Sequence, residues 1–124
     1  MNTQVNNLQT RSYDLEERTA LFAEKIIHFV KKLKVDAINR PLIEQIVSSS
    51  GSIGANYCEA NEAESKRDFI HKIGIVKKEA KETQYWLRLL EVSNSSFKEE
   101  TQGLWKEAHE LLLIFSKILV TCKK

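Results

Sequence analysis

Proline and glycine are scarce in this sequence, with one proline and four glycines among 124 residues. Because the turns of β proteins depend on these residues, their scarcity argues against an all-β fold. Apolar residues make up 42% and charged residues 29% of the chain, a balance typical of one globular domain with a modest core. The net charge is only +2, so any surface that binds nucleic acid has to be a local one.

Long apolar runs and a secretion signal are missing as well. The most apolar run, residues 111–120, is interrupted by Ser116 and Lys117 and falls short of the ~20 residues that a membrane span needs. The polar N-terminal segment lacks the apolar centre of a signal peptide. The two cysteines, Cys58 and Cys122, show no C-x-x-C spacing, so we expect reduced thiols in a cytoplasmic protein without membrane contact.

Two helices are predicted in the first half of the chain. Asp14 and Glu17 form an acidic variant of the capping box, followed by apolar residues at helical spacing, which predicts a helix over about 14–34. Asn39 is a good N-cap residue, and Pro41 then falls in the first turn, where its missing N–H costs little. A second helix therefore begins near residue 40.

Two further capping boxes predict the other helices. Ser65 with Asp68 opens a third helix that extends to about residue 92, and Ser96 with Glu99 opens a fourth that extends to about residue 122. Four helices with short connections predict an all-α fold, an antiparallel up-down-up-down four-helix bundle. We assign residues 13–124 to the bundle and residues 1–12 to a flexible N-terminal tail.

The stretch SSSGSIGANYC, residues 48–58, has the composition of a linker. On a helical wheel, however, Ile46, Ile53 and Tyr57 share one face, and a linker has no reason to keep that register. We predict a continuous helix over about 41–62, with a kink near Gly51 as the alternative. Small side chains allow a neighbouring helix to come close, and we place three of them at a subunit interface: Gly51, Gly54 and Ala55.

The third helix carries one basic face. Six lysine and arginine residues fall within about 120° of its circumference, and no carboxylate falls in that arc. Such a face can follow the phosphate backbone of RNA or DNA. We call these residues the basic stripe: Lys66, Arg67, Lys77, Lys78, Lys81 and Arg88.

Two other interpretations of the basic stripe remain open. It is either a solvated helix face or one half of a set of ion pairs in a protein-interaction scaffold, with acidic partners on a neighbouring helix or subunit. The acidic residues in question are Glu59, Glu62 and Glu64.

An apolar group on the same helix points to assembly. Ile75, Trp86 and Leu89 lie on the wheel away from both the core side and the basic stripe, which predicts a subunit interface. Tyr85, at the border of the stripe, is placed to stack on a nucleobase.

The sequence shows no pattern for catalysis. A di-iron site in a bundle needs two Glu-x-x-His pairs, and only Asp68 with His71 approaches that spacing. Cys58 has Glu59 and Glu62 nearby, and such carboxylates disfavour the thiolate that a nucleophile requires. We therefore expect no catalytic residue, no metal, no cofactor and no enzymatic activity.

Several segments resemble one protein family. DLEERTALFAEKIIHFVKKL, INRPLIEQIV, SSSGSIGANYCEA and SKRDFIHKIGIVKKEAKETQYWLRLLE together resemble the bacterial 23S rRNA intervening-sequence proteins, over roughly residues 13–120. The resemblance implies an antiparallel four-helix bundle that assembles into a homopentamer. The family is also similar to the accessory variability protein of diversity-generating retroelements, a basic pentamer. That similarity implies binding to nucleic acid and to a protein partner such as a reverse transcriptase.

Overall fold

The computed structural model describes the backbone of residues 3–123 and the side chains of residues 15–123. Four helices account for most of this part of the chain, and no strand occurs in it. They are α1 (Thr3–Val30), α2 (Asn39–Asn61), α3 (Lys66–Ser93) and α4 (Lys98–Cys122), and a 3-10 turn, Ser95–Phe97, precedes the last. The predicted all-α four-helix bundle is confirmed.

Polar contacts show the relative direction of α2 and α3. The Ser49 and Thr83 hydroxyls lie 2.8 Å apart in the middle of the two helices. Toward one end, the Asn39 amide nitrogen donates to Asn94 Oδ1 over 2.9 Å. Residue numbers rise along one helix as they fall along the other, so α2 and α3 are antiparallel, as predicted.

The core lies between the apolar sides of all four helices. Ile46, Ile53 and Tyr57, the residues that shared a face in the sequence, are buried with at most 4% of each exposed. The predicted core side of α3 is buried too, except for Phe69, which packs against the core but stays half-buried. Between residues 3 and 123, no helix is both long and apolar enough to cross a bilayer.

The serine- and glycine-rich stretch is continuous helix within α2, as predicted. Ser49 and Ser50 are buried among the apolar residues of the core. At Gly54, an added Cβ would lie 3.0 Å from Thr19 Oγ1 on α1, so a larger residue at this position would require Thr19 to shift. Gly51 and Ala55 are exposed in the single chain, and an added Cβ at Gly51 would meet nothing within 4 Å.

The limits of α1 differ from the prediction. The helix already includes Thr3, so a start at Asp14 is wrong, and it ends at Val30 rather than near residue 34. The side chains of residues 1–14 lie outside the described part, so the division into a tail of residues 1–12 and a bundle stays a prediction.

Asn39 is not the N-cap of α2, because its side chain is engaged elsewhere. Asp36 Oδ1 accepts from the Asn39 backbone N–H at 2.7 Å and thereby satisfies the start of the helix. Asn39 is only 2% exposed. Its side-chain nitrogen donates to the Lys34 carbonyl at 2.8 Å as well as to Asn94, and its Oδ1 accepts from the Ser93 hydroxyl at 2.8 Å. The α1–α2 connection is therefore tied to the C-terminal end of α3.

The two serine caps have different outcomes. Ser65 is the N-cap of α3, and its hydroxyl accepts from the Asp68 N–H at 3.0 Å, as predicted. Ser96 does not cap α4, because it lies inside the 3-10 turn, and the α4 N-terminus at Phe97 has no side-chain cap.

An ion-pair cluster joins α1 to α4. The Arg18 guanidinium donates to both carboxylate oxygens of Glu107, at 2.8 and 2.9 Å, and to Glu110 at 2.6 Å. The hydrogen bonds from Arg18 hold the pKa of Glu107 below its usual value of 4.5, although partial burial acts in the opposite direction.

We expect Gly54→Leu to lower the free energy of unfolding by roughly 1–3 kcal/mol, because the side chain would press on Thr19. Gly103→Leu is the control. It replaces an exposed helical glycine that has open space around it and that belongs to no predicted interface, so it should leave stability unchanged or raise it by up to about 1 kcal/mol. Urea unfolding of both variants measures the difference. Equal stability of the two variants would contradict the close α1–α2 approach.

The Arg18–Glu107 pair predicts a pH dependence of stability. Since the pKa of Glu107 is lower in the folded chain, its contribution is present above pH 4.5 and is lost as the pH falls through the folded value. Glu107→Gln should therefore cost up to about 1 kcal/mol at neutral pH and progressively less in acid. Urea unfolding between pH 3 and 7 measures this gap. In an Arg18→Met background the gap should vanish, and a gap that persists there would rule out Arg18 as its cause.

Candidate nucleic-acid interface

All six residues of the basic stripe lie exposed on α3, which is one uninterrupted helix. Within the described side chains, none of the six forms an ion pair with a carboxylate. From Lys66 to Arg88 the stripe extends about 33 Å at the usual rise of an α-helix. That length is close to one turn of a nucleic-acid duplex. The geometry leaves a long row of solvated cations on one side of the bundle.

Acidic residues of α3 lie on other parts of its surface. Glu79 is half-buried, and burial raises its pKa, with a further increase from the neighbouring Glu82 carboxylate. Lys78 opposes that increase. Asp68, Glu79 and Glu82 thus lie outside the arc of the basic stripe.

A groove between α3 and α4 borders the basic stripe. It has a volume of about 510 Å³, within the range of small-molecule sites. Arg88 belongs to both the stripe and the groove, so the two surfaces are continuous. We call it the α3–α4 groove, and its lining residues are Leu87, Arg88, Glu91, Thr101, Gln102, Trp105 and Lys106.

An ordered aromatic pair lies on the α4 side of this groove. The Trp105 indole stacks on the His109 imidazole with ring centroids 5.1 Å apart and planes inclined by 10°. His109 Nδ1 is in turn 3.3 Å from Gln84 Nε2 on α3. Trp105 remains 40% exposed although its ring is held in place. Our sequence reasoning missed this residue, although the Trp105–His109 spacing of four places both on one helix face.

The predicted interface residues of α3 are less exposed than expected. Ile75, Trp86 and Leu89 are half-buried, and Trp86 packs against the core. Leu89 also lines an apolar depression of about 420 Å³ between α2 and α3. Ile38 and Val92, which line the same depression, are 63% and 80% exposed. We call it the α2–α3 depression.

Tyr85, expected at the border of the basic stripe, is 55% exposed. Its ring meets Trp86 edge to face at 5.1 Å between centroids. The phenol is thus accessible for stacking, whereas Trp86 behind it is largely covered.

The cysteine and acidic residues offer little chemistry. Both Cys58 and Cys122 are free thiols. Cys58 is exposed, but partial desolvation by its neighbours raises the pKa of its thiol and the nearby Glu16 carboxylate raises it further, so a reactive thiolate is disfavoured. Over residues 15–123, no three His, Cys, Asp or Glu side chains come together in a way that could hold a metal ion.

The fold and surface together define a helical-bundle protein with a basic helix face. A family model described as 23S rRNA-intervening sequence protein matches residues 11–117. The chain belongs to this family, which confirms the resemblance seen in the sequence.

A solved structure agrees with this assignment. It is a protein with unknown function from the S23 ribosomal protein family of Bacteroides thetaiotaomicron VPI-5482, and it is 33% identical to this chain. The alignment covers 84% of this chain and 96% of the other, with a TM-score of 0.74. No curated protein matches the chain.

Proposed function

We propose that this protein is a non-enzymatic, homo-oligomeric four-helix bundle that binds RNA or DNA through the basic stripe. The observation that carries the proposal is the row of six exposed cations on one continuous helix, which have no ion-pair partner among the described side chains. Six positively charged side chains along about 33 Å of helix repel each other, and bound phosphates reduce that repulsion. Binding of this type reads the backbone and shows little sequence preference.

The proposal includes assembly into a homopentamer, which the resemblance first suggested. The α2–α3 depression supports self-association, because Ile38 and Val92 expose most of their apolar surface there. Leu89 connects this depression with the predicted contact through Ile75 and Trp86. In a ring, each copy adds one basic stripe, so a modest net charge of +2 per chain is compatible with a strong local field.

A second function, a protein-interaction scaffold without nucleic-acid binding, is favoured by a different contact. Lys72 Nζ on α3 lies 3.5 Å from Glu59 on α2, so the two helices already pair opposite charges within one chain. Glu62 and Glu64 are exposed beside this pair and are available to lysines of a neighbouring copy. In that case, the basic stripe would stabilise assembly rather than bind phosphates.

Light scattering at micromolar concentration should give about five times the chain mass of 14.3 kDa. Leu89→Lys places a charge in the α2–α3 depression and should shift the protein toward the monomer. Leu113→Lys, at a residue that is 55% exposed on α4, is the control and should leave the mass unchanged. A monomeric wild-type protein would overturn the assembly proposal.

Reversal of charge at the centre of the basic stripe should abolish binding to RNA and DNA. In Lys77→Glu/Lys81→Glu, both residues are exposed and both replacements favour helix, so the fold and oligomeric state should persist. For wild type, the logarithm of the binding constant for duplex DNA should fall linearly with the logarithm of salt concentration. Each single reversal should lower that slope by about one. Fluorescence anisotropy over a salt series measures both effects.

The control carries the same change in net charge elsewhere. Lys31→Glu/Lys34→Glu alters two exposed lysines outside the basic stripe and should retain most of the binding. Equal losses in both double variants would indicate a general charge effect. Wild-type protein that binds neither RNA nor DNA at about 50 mM salt would exclude the proposed function. Loss of assembly in Lys77→Glu/Lys81→Glu would then support the scaffold.

A further inference from the structure

Glu91 has a carboxylate oxygen without a partner. It lines the α3–α4 groove, and its Oε1 is shielded from solvent with no hydrogen bond to any described residue. An acceptor that is covered without a donor is costly, so the Glu91 carboxylate is stabilised when its side chain turns into the groove and meets a ligand that carries N–H groups. Arg88 and Lys106 line the same groove, yet neither forms an ion pair with Glu91.

Trp105 supplies a stacking surface in the same groove. Its indole is fixed by His109, which covers one face, and His109 is held by Gln84 across the helix interface. An aromatic ring that is fixed before binding loses little conformational entropy when a second ring stacks on it. The 40% of Trp105 that remains exposed is thus suited to a flat, aromatic ligand.

The charges of the groove indicate that this flat ligand also carries a phosphate. Arg88 is the last cation of the basic stripe and also lines the groove, and Lys106 lines the groove from the α4 side. A strand whose phosphates follow the stripe would therefore pass the groove at its end. Stacking surface, carboxylate acceptor and flanking cations together match a nucleotide.

We propose that the α3–α4 groove binds one unpaired guanine of a single nucleic-acid strand. The base stacks on Trp105, and the Glu91 carboxylate accepts from its Watson–Crick edge. Arg88 and Lys106 bind the adjacent phosphates. The inference rests on the proposed function and adds base selectivity to it, since the basic stripe alone reads only the backbone.

Guanine is selected because of the hydrogen-bond pattern that a carboxylate requires. An ionised carboxylate only accepts, and it offers two oxygens side by side. Guanine presents the N1–H and N2–H groups as neighbouring donors on its Watson–Crick edge. Adenine and cytosine each present one amino group beside a ring nitrogen that accepts, and uracil presents one N–H between two carbonyls. Those acceptors would face the carboxylate and be repelled.

The test uses U-rich RNA 12-mers that differ only in the central base, which is G, A, C, U or inosine. We expect wild type to bind the G-containing strand on the order of tenfold more tightly than the others. Inosine lacks the N2 amino group and should lose most of this advantage. Pairing the G strand with its complement should also remove the advantage, because the Watson–Crick edge is then occupied. The same preference should appear in DNA 12-mers.

Two variants separate the two contacts. Glu91→Gln keeps the shape of the side chain but not its pair of acceptor oxygens, so it should remove the preference for G without weakening binding to the U strand. Trp105→Ala should weaken binding to every strand by on the order of tenfold, and Trp105→Phe should restore part of it. Quenching of tryptophan fluorescence by the bound strand should be present in wild type and largely lost in Trp105→Phe. Neither variant should change the salt dependence, unlike Lys77→Glu/Lys81→Glu.

The outcomes distinguish this inference from the function on which it rests. If wild type binds no strand, the proposed function fails. If wild type binds all five strands equally and neither groove variant changes that, backbone binding stands and the guanine site is wrong. If guanosine monophosphate alone binds as tightly as the G-containing strand, the groove is a free-nucleotide site and the proposal for a strand is overturned.

Discussion

Burial of one side of α3 determines where the basic stripe lies. Ile73, Val76, Ala80, Leu87 and Leu90 are at most 1% exposed, and they fix the rotation of this helix between α2 and α4. At about 100° per residue, that rotation directs the basic stripe to solvent. A helix of 28 residues without a break carries the same orientation along its full length. The core packing of α3 is thus the physical cause of the exposed basic stripe.

The interior could be predicted from sequence because it depends on a repeated pattern, whereas helix ends depend on single contacts. Ile46, Ile53 and Tyr57 indicated helix through a stretch rich in serine and glycine, and the packing of Ser49 and Gly54 shows why small residues are used there. The Asn39 cap was wrong because its amide bonds Asn94, 55 residues away in the chain. Local capping patterns cannot register such a tertiary partner. The start of α4 differs for a local reason, because Ser96 lies in a 3-10 turn rather than at the N-cap.

The candidate site divides in the same way. The basic stripe follows from the periodicity of one helix, so the sequence alone identifies its six residues. The α3–α4 groove requires two helices in a defined register, with Glu91 on one and Trp105 on the other. No pattern along the chain brings these two residues together. The half-buried state of Trp86 likewise reflects packing against its neighbours, which the helical wheel of α3 alone does not contain.

The helix α3 lies between α2 and α4. The surface proposed for self-association is therefore on the α2 side of α3, and the groove proposed for strand binding is on the α4 side. Leu89 faces the α2–α3 depression, while Glu91 lines the α3–α4 groove. The two residues are two positions apart in the sequence, so they point about 200° apart around the helix axis. Copies that associate through the α2 side would therefore leave the α3–α4 groove open, with their contact beside the basic stripe rather than across the groove. Symmetry would then repeat the basic stripe and the α3–α4 groove around the assembly. One strand could contact several stripes, and each groove could bind one base. In such an assembly, weak backbone binding by each copy would add up to strong binding, and each groove that a guanine reaches would add base selectivity.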